Sequence, residues 1–249
     1  DDAIVPDGAR RRAGAIGRGG HAGVLRASGR LSCRRRAGQL VGEVIRNGLR
    51  PPRARRASAC EEQQGGLFNA SNLGASLGVS YHTVQRYVDI LEQTFLARRL
   101  TPYTRNVGKR LTKAPKFYLR DTGLLHHLLN VGSLDELASH PIRGASWETF
   151  VLEDLLRRER LAHPHATAHF WRTATGDEAD LVLERGDHRF AVEIKAGSGR
   201  DLDAARGLAR CATDIGAARA WIVGQARGNE PLVAGVARRG FDQVIDWLP

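Results

Sequence analysis

Asp180 is followed, after a gap of twelve residues, by Glu193-Ile194-Lys195. Two carboxylates and an amine are the groups that hold a hard divalent cation and assist an attacking water in phosphoester hydrolysis. What this region can do therefore depends on whether the chain brings them together. Glu178 to Arg185 and His188 to Lys195 alternate apolar and polar residues, and Gly186-Asp187 between them suits a two-residue type II′ hairpin with glycine in the first central position. The pairing then sets Leu183 against Phe190, Leu181 against Val192 and Ala179 against Ile194 on one apolar face. The other face sets Glu184 against Arg189, Val182 against Ala191, Asp180 against Glu193 and Glu178 against Lys195. Like charges directly opposed destabilise a ladder. A cation between Asp180 and Glu193 would relieve the repulsion, with Lys195 two residues further on the same face. A surface salt-bridge cluster in which Lys195 neutralises the pair would do so as well, and a bulge would separate the carboxylates. Spacing alone leaves these readings open.

The elements that must position these residues follow from periodicity. Residues 146–160 read as a helix capped by Ser146, with Trp147, Phe150, Val151, Leu152 and Leu155 inward and Glu148 in its first turn. An extended segment Ala168 to Arg172, the hairpin, a helix from Asp201 to Cys211 and a strand Ala218 to Val223 complete an αβββαβ order, an α/β arrangement.

Upstream, Leu73 and Leu77 share a face of a short helix, Gly78 supplies a tight turn with Val79 buried in it, and Ser80 is a good N-cap. A second helix over Tyr81 to Phe95 points Val84, Val88, Leu91 and Phe95 inward, leaving Tyr81, His82, Gln85, Arg86 and Asp89 outward. This order predicts a helix-turn-helix whose second helix enters a major groove, with His82, Gln85 and Arg86 as contacts. Arg98 to Arg120 then holds eight cations (Arg98, Arg99, Arg105, Lys109, Arg110, Lys113, Lys116, Arg120) and no acid. With Leu96 to Leu100 and Lys116 to Leu119 as strands, the segment reads as a wing. Arg105, Lys109, Arg110, Lys113 and Lys116 are the expected phosphate contacts; if all eight cations neutralised phosphates, log K would fall against log salt with a slope of roughly −7. Asp121 caps a further helix through Leu129, and residues 131–145 read as a linker.

The chain has 249 residues and a net charge of +11, which favours a polyanionic partner. The charge is unevenly placed: residues 1–66 hold 14 arginines, no lysine and six acids, with 12 of the 28 glycines and no aromatic residue. Such a segment buries too little apolar surface to offset chain entropy, so the first 66 residues are expected to be disordered or the product of a disrupted reading frame, with one short helical stripe at 39–49. No stretch reaches the roughly 20 apolar residues of a membrane span. Cys33, Cys60 and Cys211 form neither a disulfide framework nor a zinc pattern, and a cytoplasmic protein without membrane contact is expected.

The Asp180, Glu193-Ile194-Lys195 pattern preceded by a helix bearing Glu148 resembles the PD-(D/E)XK nuclease superfamily. That resemblance implies Mg²⁺ held by Asp180 and Glu193 with Glu148 as accessory ligand, and Lys195 as catalytic residue. The wider order, Asn-Leu-Gly-x-x-Leu-Gly-Val-Ser, Asn-x-x-Lys-Arg-Leu, Pro-Lys, Asp-Thr-Gly-Leu, Gly-x-x-Trp-Glu and Gly-x-Glu-x-Asp, resembles the C-terminal half of a group of bacterial and archaeal AAA-type ATPases over residues 67–225. It implies a winged helix-turn-helix (67–130) followed by a nuclease-like domain (146–249). Those proteins carry an N-terminal P-loop, and GxxxxGK[ST] occurs nowhere here, so no ATP site is expected. The implied function is DNA binding with Mg²⁺-dependent phosphodiesterase activity; the alternative is a non-catalytic DNA- or protein-binding module on the same fold.

Overall fold

The computed structural model describes residues 61–104, 113–197, 199, 201–225 and 227–246. The 39–49 stripe, Cys33, Cys60, Arg105, Lys109 and Arg110 lie outside them. Helix α1 (Ala70–Leu77) is capped by Asn69, whose Oδ1 accepts from the amides of Ser71 and Asn72. It ends at Gly78 with φ 72°, a left-handed C-cap that glycine takes without strain. Ser80 then caps α2 (Tyr81–Gln93) through the Thr83 amide. The turn is tight because Gly74 has no side chain: a Cβ there would stand 2.7 Å from the Val79 carbonyl oxygen, which is fixed backbone. Gly74→Ala is therefore expected to destabilise this helix pair by about 1 to 3 kcal/mol through overpacking, seen as an earlier urea midpoint.

Helix α2 buries Val84 and Val88 as the spacing predicts, but not Phe95, which is 72% exposed. The helix ends at Gln93, and Phe95 turns the chain at φ 59°, so Leu96 takes the inward place. Strands β1 (Ala97–Leu100) and β2 (Lys116–Leu119) pair antiparallel. Helix α3 (Thr122–Leu129) starts at Asp121, which caps the Leu124 amide. The segment read as a linker contains α4 (Leu134–Ser139), opened by a reciprocal capping box between Ser133 and Glu136.

Helix α5 (Arg143–Ala162) starts three residues before the predicted cap. Ser146 lies buried inside it with its hydroxyl 2.7 Å from His126 Nε2, so it is a packing contact and not a cap. The inward face is Val151, Leu152, Leu155 and Leu156, while Phe150 is exposed.

Strands β3 (Thr167–Arg172), β4 (Glu178–Arg185) and β5 (His188–Ile194), helix α6 (Leu202–Ile215) and β6 (Arg219–Gly224) follow in the expected order. A further hairpin, β7 (Asn229–Val233) and β8 (Val236–Gly240), and a 3-10 turn (Phe241–Asp246) extend it. The six-stranded sheet runs β3-β4-β5-β6-β8-β7, with β5, β6 and β8 mutually parallel and the Pro231-bearing β7 at the edge. The β4-β5 register is as read from the sequence between Leu181↔Val192 and Arg185↔His188, and Gly186 adopts φ 57°.

One face of the sheet packs Leu181, Leu183, Phe190 and Val192 under α5, and Leu100 and Tyr118 from the strand pair β1-β2 enter that same core. The other face packs Val182, Ala191 and Ile222 under Ala205, Leu208 and Cys211 of α6. Ala179 lies on the α6 side, opposite the predicted one. The β3-β4 ladder slips between His169↔Val182 and Trp171↔Ala179, so Asp180 and Leu181 together oppose Phe170.

The N-terminal helices and the sheet are stitched together by backbone. Tyr103 N–H donates to the Phe170 carbonyl and Phe170 N–H to that of Thr101, at 2.7 and 3.1 Å. Gly65 and Gly66 likewise exchange two bonds with Phe117. Gln64, in the stretch expected to be disordered, is 5% exposed and spans the Leu119 backbone and the Thr149 hydroxyl. The folded chain thus begins no later than Glu61.

Candidate carboxylate site and nucleic-acid interface

The bulge decides what Asp180 can do. Released from the regular ladder, its Oδ2 accepts the Ile194 amide at 2.8 Å, closing the end of the β4-β5 pair. Its Oδ1 lies 2.7 Å from Nζ of Lys116. That lysine comes from β2, and its ammonium reaches two more carboxylates, Glu178 at 2.6 Å and Glu148 at 3.2 Å. The ammonium thus donates to Asp180 and Glu148 and forms an ion pair with Glu178, whose Oε1 is buried without a hydrogen-bond donor. Lys116 is 3% exposed, so the expectation that it contacts phosphate is overturned.

Lys116 and Tyr118 are two residues apart on one strand and point the same way. The Tyr118 hydroxyl donates to the same Glu148 oxygen at 2.7 Å. Gly65, at φ 69°, lies against the Glu148 carboxylate. Sequence reasoning missed Glu178, Tyr118 and the inward turn of Lys116, although the shared parity of Lys116 and Tyr118 was visible.

Burial opposes the Lys116 ammonium, but the facing charges of Asp180 and Glu148 outweigh it and hold its pKa well above the ordinary lysine value. Glu148 is pushed up to about 7 by burial and by Asp180, against the partial relief that Lys116 and Tyr118 give. Glu193 is driven well above the usual carboxylate range by burial and by Asp180. Its partner is Lys195, 2.8 Å away and 39% exposed, and not Asp180. Glu193 Oε2 is buried without a hydrogen-bond donor. Glu193 and Lys195 open into a groove shared with Glu178, Asp201, Arg206 and Arg210 near the start of α6. Lys195 does not pair with Glu178, whose carboxylate is bound by Lys116 and Arg172.

The Mg²⁺ site implied by the resemblance can be tested against these donors. Asp180 has one oxygen on a backbone amide and the other on Lys116, and Glu148 Oε1 already accepts from Lys116 and Tyr118. Glu193 sits on the α6 side with Lys195. Among the described residues, no group of three or more His, Cys, Asp and Glu side chains is arranged to hold a metal ion. The donor set as it stands does not fit a divalent cation shared by Glu148, Asp180 and Glu193.

On the helix-turn-helix, His82 and Arg86 are exposed on α2, and Lys113 is exposed just before β2. Gln85 is half-buried, donating to the Tyr81 hydroxyl and accepting from Arg99. Arg99 of β1 also binds Asp89 and Glu92, the two acids of α2. Arg98 and Arg120 converge on Glu153 of α5. Four of the eight cations between Arg98 and Arg120 are therefore committed internally.

Two family models match the chain. Residues 49–135 match one described as Domain of unknown function (DUF8612), and residues 143–237 one described as Domain of unknown function (DUF4143), which begins where α5 begins. The uncharacterized proteins Rv2008c of Mycobacterium tuberculosis and Mb2031c of Mycobacterium bovis are each 37% identical to this chain over 209 residues, 83% of it and 46% of theirs. The chain spans less than half the length of these relatives. Protein VC1899 from Vibrio cholerae aligns over 76% of this chain and 46% of its own at 15% identity, with a TM-score of 0.29. Among the described residues no helix is long and apolar enough to cross a membrane.

Proposed function

We propose that this chain is a DNA-binding module: a winged helix spanning α1 to β2 that docks duplex DNA with α2, joined to a PD-(D/E)XK-like α/β unit that acts as a partner and not as a nuclease. One observation carries the reading. Arg99 neutralises Asp89 and Glu92, so the outward surface of α2 presents Tyr81, His82 and Arg86 to a phosphate backbone with its own acids already paired. Helix α1 has no acid at all.

The internal pairing sets the expected salt dependence. With Arg98, Arg99, Lys116 and Arg120 committed, Arg86 and at most the four other cations of the Arg98 to Arg120 run can reach phosphate. Five contacts give a slope of log K against log salt no steeper than about −5, where eight would give about −7. Fluorescence anisotropy on a labelled duplex over a range of salt measures this. Arg86→Ala is expected to weaken binding by about tenfold and to flatten the slope by about one. Affinity unchanged by Arg86→Ala would remove α2 from the interface.

A second reading, a metal-dependent phosphodiesterase, draws on the unpartnered Glu193 Oε2 beside Lys195. It requires Lys116 to leave Asp180.

A further inference from the structure

We infer that Lys116 is the resident cation of the Glu148, Glu178 and Asp180 carboxylate cluster, and that its ammonium, delivered by β2, keeps these acids from taking up a divalent metal. The three carboxylates come from two elements: Glu148 from the first turns of α5, and Glu178 and Asp180 from the start of β4 and its bulge. They converge on one nitrogen at 2.6 to 3.2 Å. Nothing in the local chain requires this convergence. Glu148 could have reached solvent, and Asp180 is displaced from its ladder position by the bulge that aims it at Lys116. Carboxylates gathered around one point attract a cation, and the ammonium meets them with hydrogen bonds to Glu148 and Asp180 and an ion pair to Glu178.

The cluster also locks two parts of the molecule together. Lys116 and Tyr118 leave the helix-turn-helix sheet and end on α5 and β4, so the α2 surface is held at a fixed position on the α/β unit. A divalent ion would bind the carboxylates without tying them to β2, leaving Gln64 on Thr149 and Arg98 and Arg120 on Glu153 to hold the strand pair to α5. The inference rests on the reading of the α/β unit as metal-free, but not on DNA contact by α2. Loss of DNA binding in Arg86→Ala with the cluster intact, or the reverse, tells the two apart.

Mn²⁺ titration of the full chain by calorimetry tests the cluster. Wild type is expected to show no saturable site. Lys116→Ala is expected to gain one, tighter than wild type by about a hundredfold or more, since a unit positive charge within about 4 Å is removed. Adding Asp180→Asn to Lys116→Ala should abolish the gain. Saturable Mn²⁺ binding by wild type that Asp180→Asn destroys, or a cooperatively folding Lys116→Ala that gains no site, would overturn the inference. If Lys116→Ala does not fold, amine labelling of wild type gives the answer. Lys116 should react about tenfold or more slowly than exposed Lys113, as a buried ion-paired amine must, and Mn²⁺ should leave its rate unchanged. Acceleration of Lys116 labelling by Mn²⁺ would show the ion displacing it and would sink the proposal.

Discussion

Lys116→Met is expected to lower folding stability by about 3 to 5 kcal/mol, the cost of leaving buried carboxylates without their partner. Methionine nearly conserves the volume, so the loss is electrostatic and not a cavity effect. Three carboxylates lose their shared cation at once, while Tyr118 and Arg172 retain one bond each to Glu148 and Glu178. Glu148, with a pKa near 7, can take up a proton and recover part of the loss. Lys195→Met offers the contrast: that amine is more than a third exposed and forms its ion pair among the described residues with Glu193, so its removal should shift the urea midpoint far less. A Lys116→Met midpoint within about 1 kcal/mol of wild type would mean the cluster holds nothing together.

The second large effect is a fall in stability between about pH 4.5 and pH 7. Glu148 has a folded pKa of about 7, above its unfolded value. Between those two values the folded chain binds more protons than the unfolded one, so the stability this group contributes is full below the unfolded pKa and is lost as pH rises through 7. Glu193 is shifted in the same direction and adds to the trend. For Glu148 alone the change is at most about 3 kcal/mol, and the cluster titrates as a unit. Glu148→Gln keeps the acceptor oxygen for Tyr118 and removes the charge, so its stability should be flatter over this window. Denaturation at a series of pH values measures both curves. A Glu148→Gln profile parallel to wild type would contradict the assignment.

Period-2 alternation and Gly186 were enough to read the β4-β5 register, because a slip of one residue would expose every apolar side chain of the hairpin. The bulge at Asp180 was not legible, since it arises from pairing with β3 and not within the hairpin. The run of like charge from Arg98 to Arg120 was plain, but the acids that absorb half of it, Asp89, Glu92, Glu153 and the Glu148 cluster, lie on other elements. Phe95 fits a helical face by spacing, yet the helix stops two residues earlier and Leu96 fills the place. Ser133 and Glu136 carried a readable capping signal inside a supposed linker. The β7-β8 hairpin was hidden because Arg238, in its centre, is buried and donates to the Gly197 and Gly199 carbonyls behind Lys195. A buried arginine on a strand breaks the alternation by which strands are recognised.

The central claim is a DNA-binding module that needs no metal. Incubation of the full chain with a labelled duplex, at matched ionic strength in Mg²⁺ or in EDTA, tests it most directly, with complex and cleavage products read from the same samples. The account predicts equal affinity in the two conditions and intact DNA throughout. Mg²⁺-dependent cutting that Lys195→Ala abolishes would contradict it.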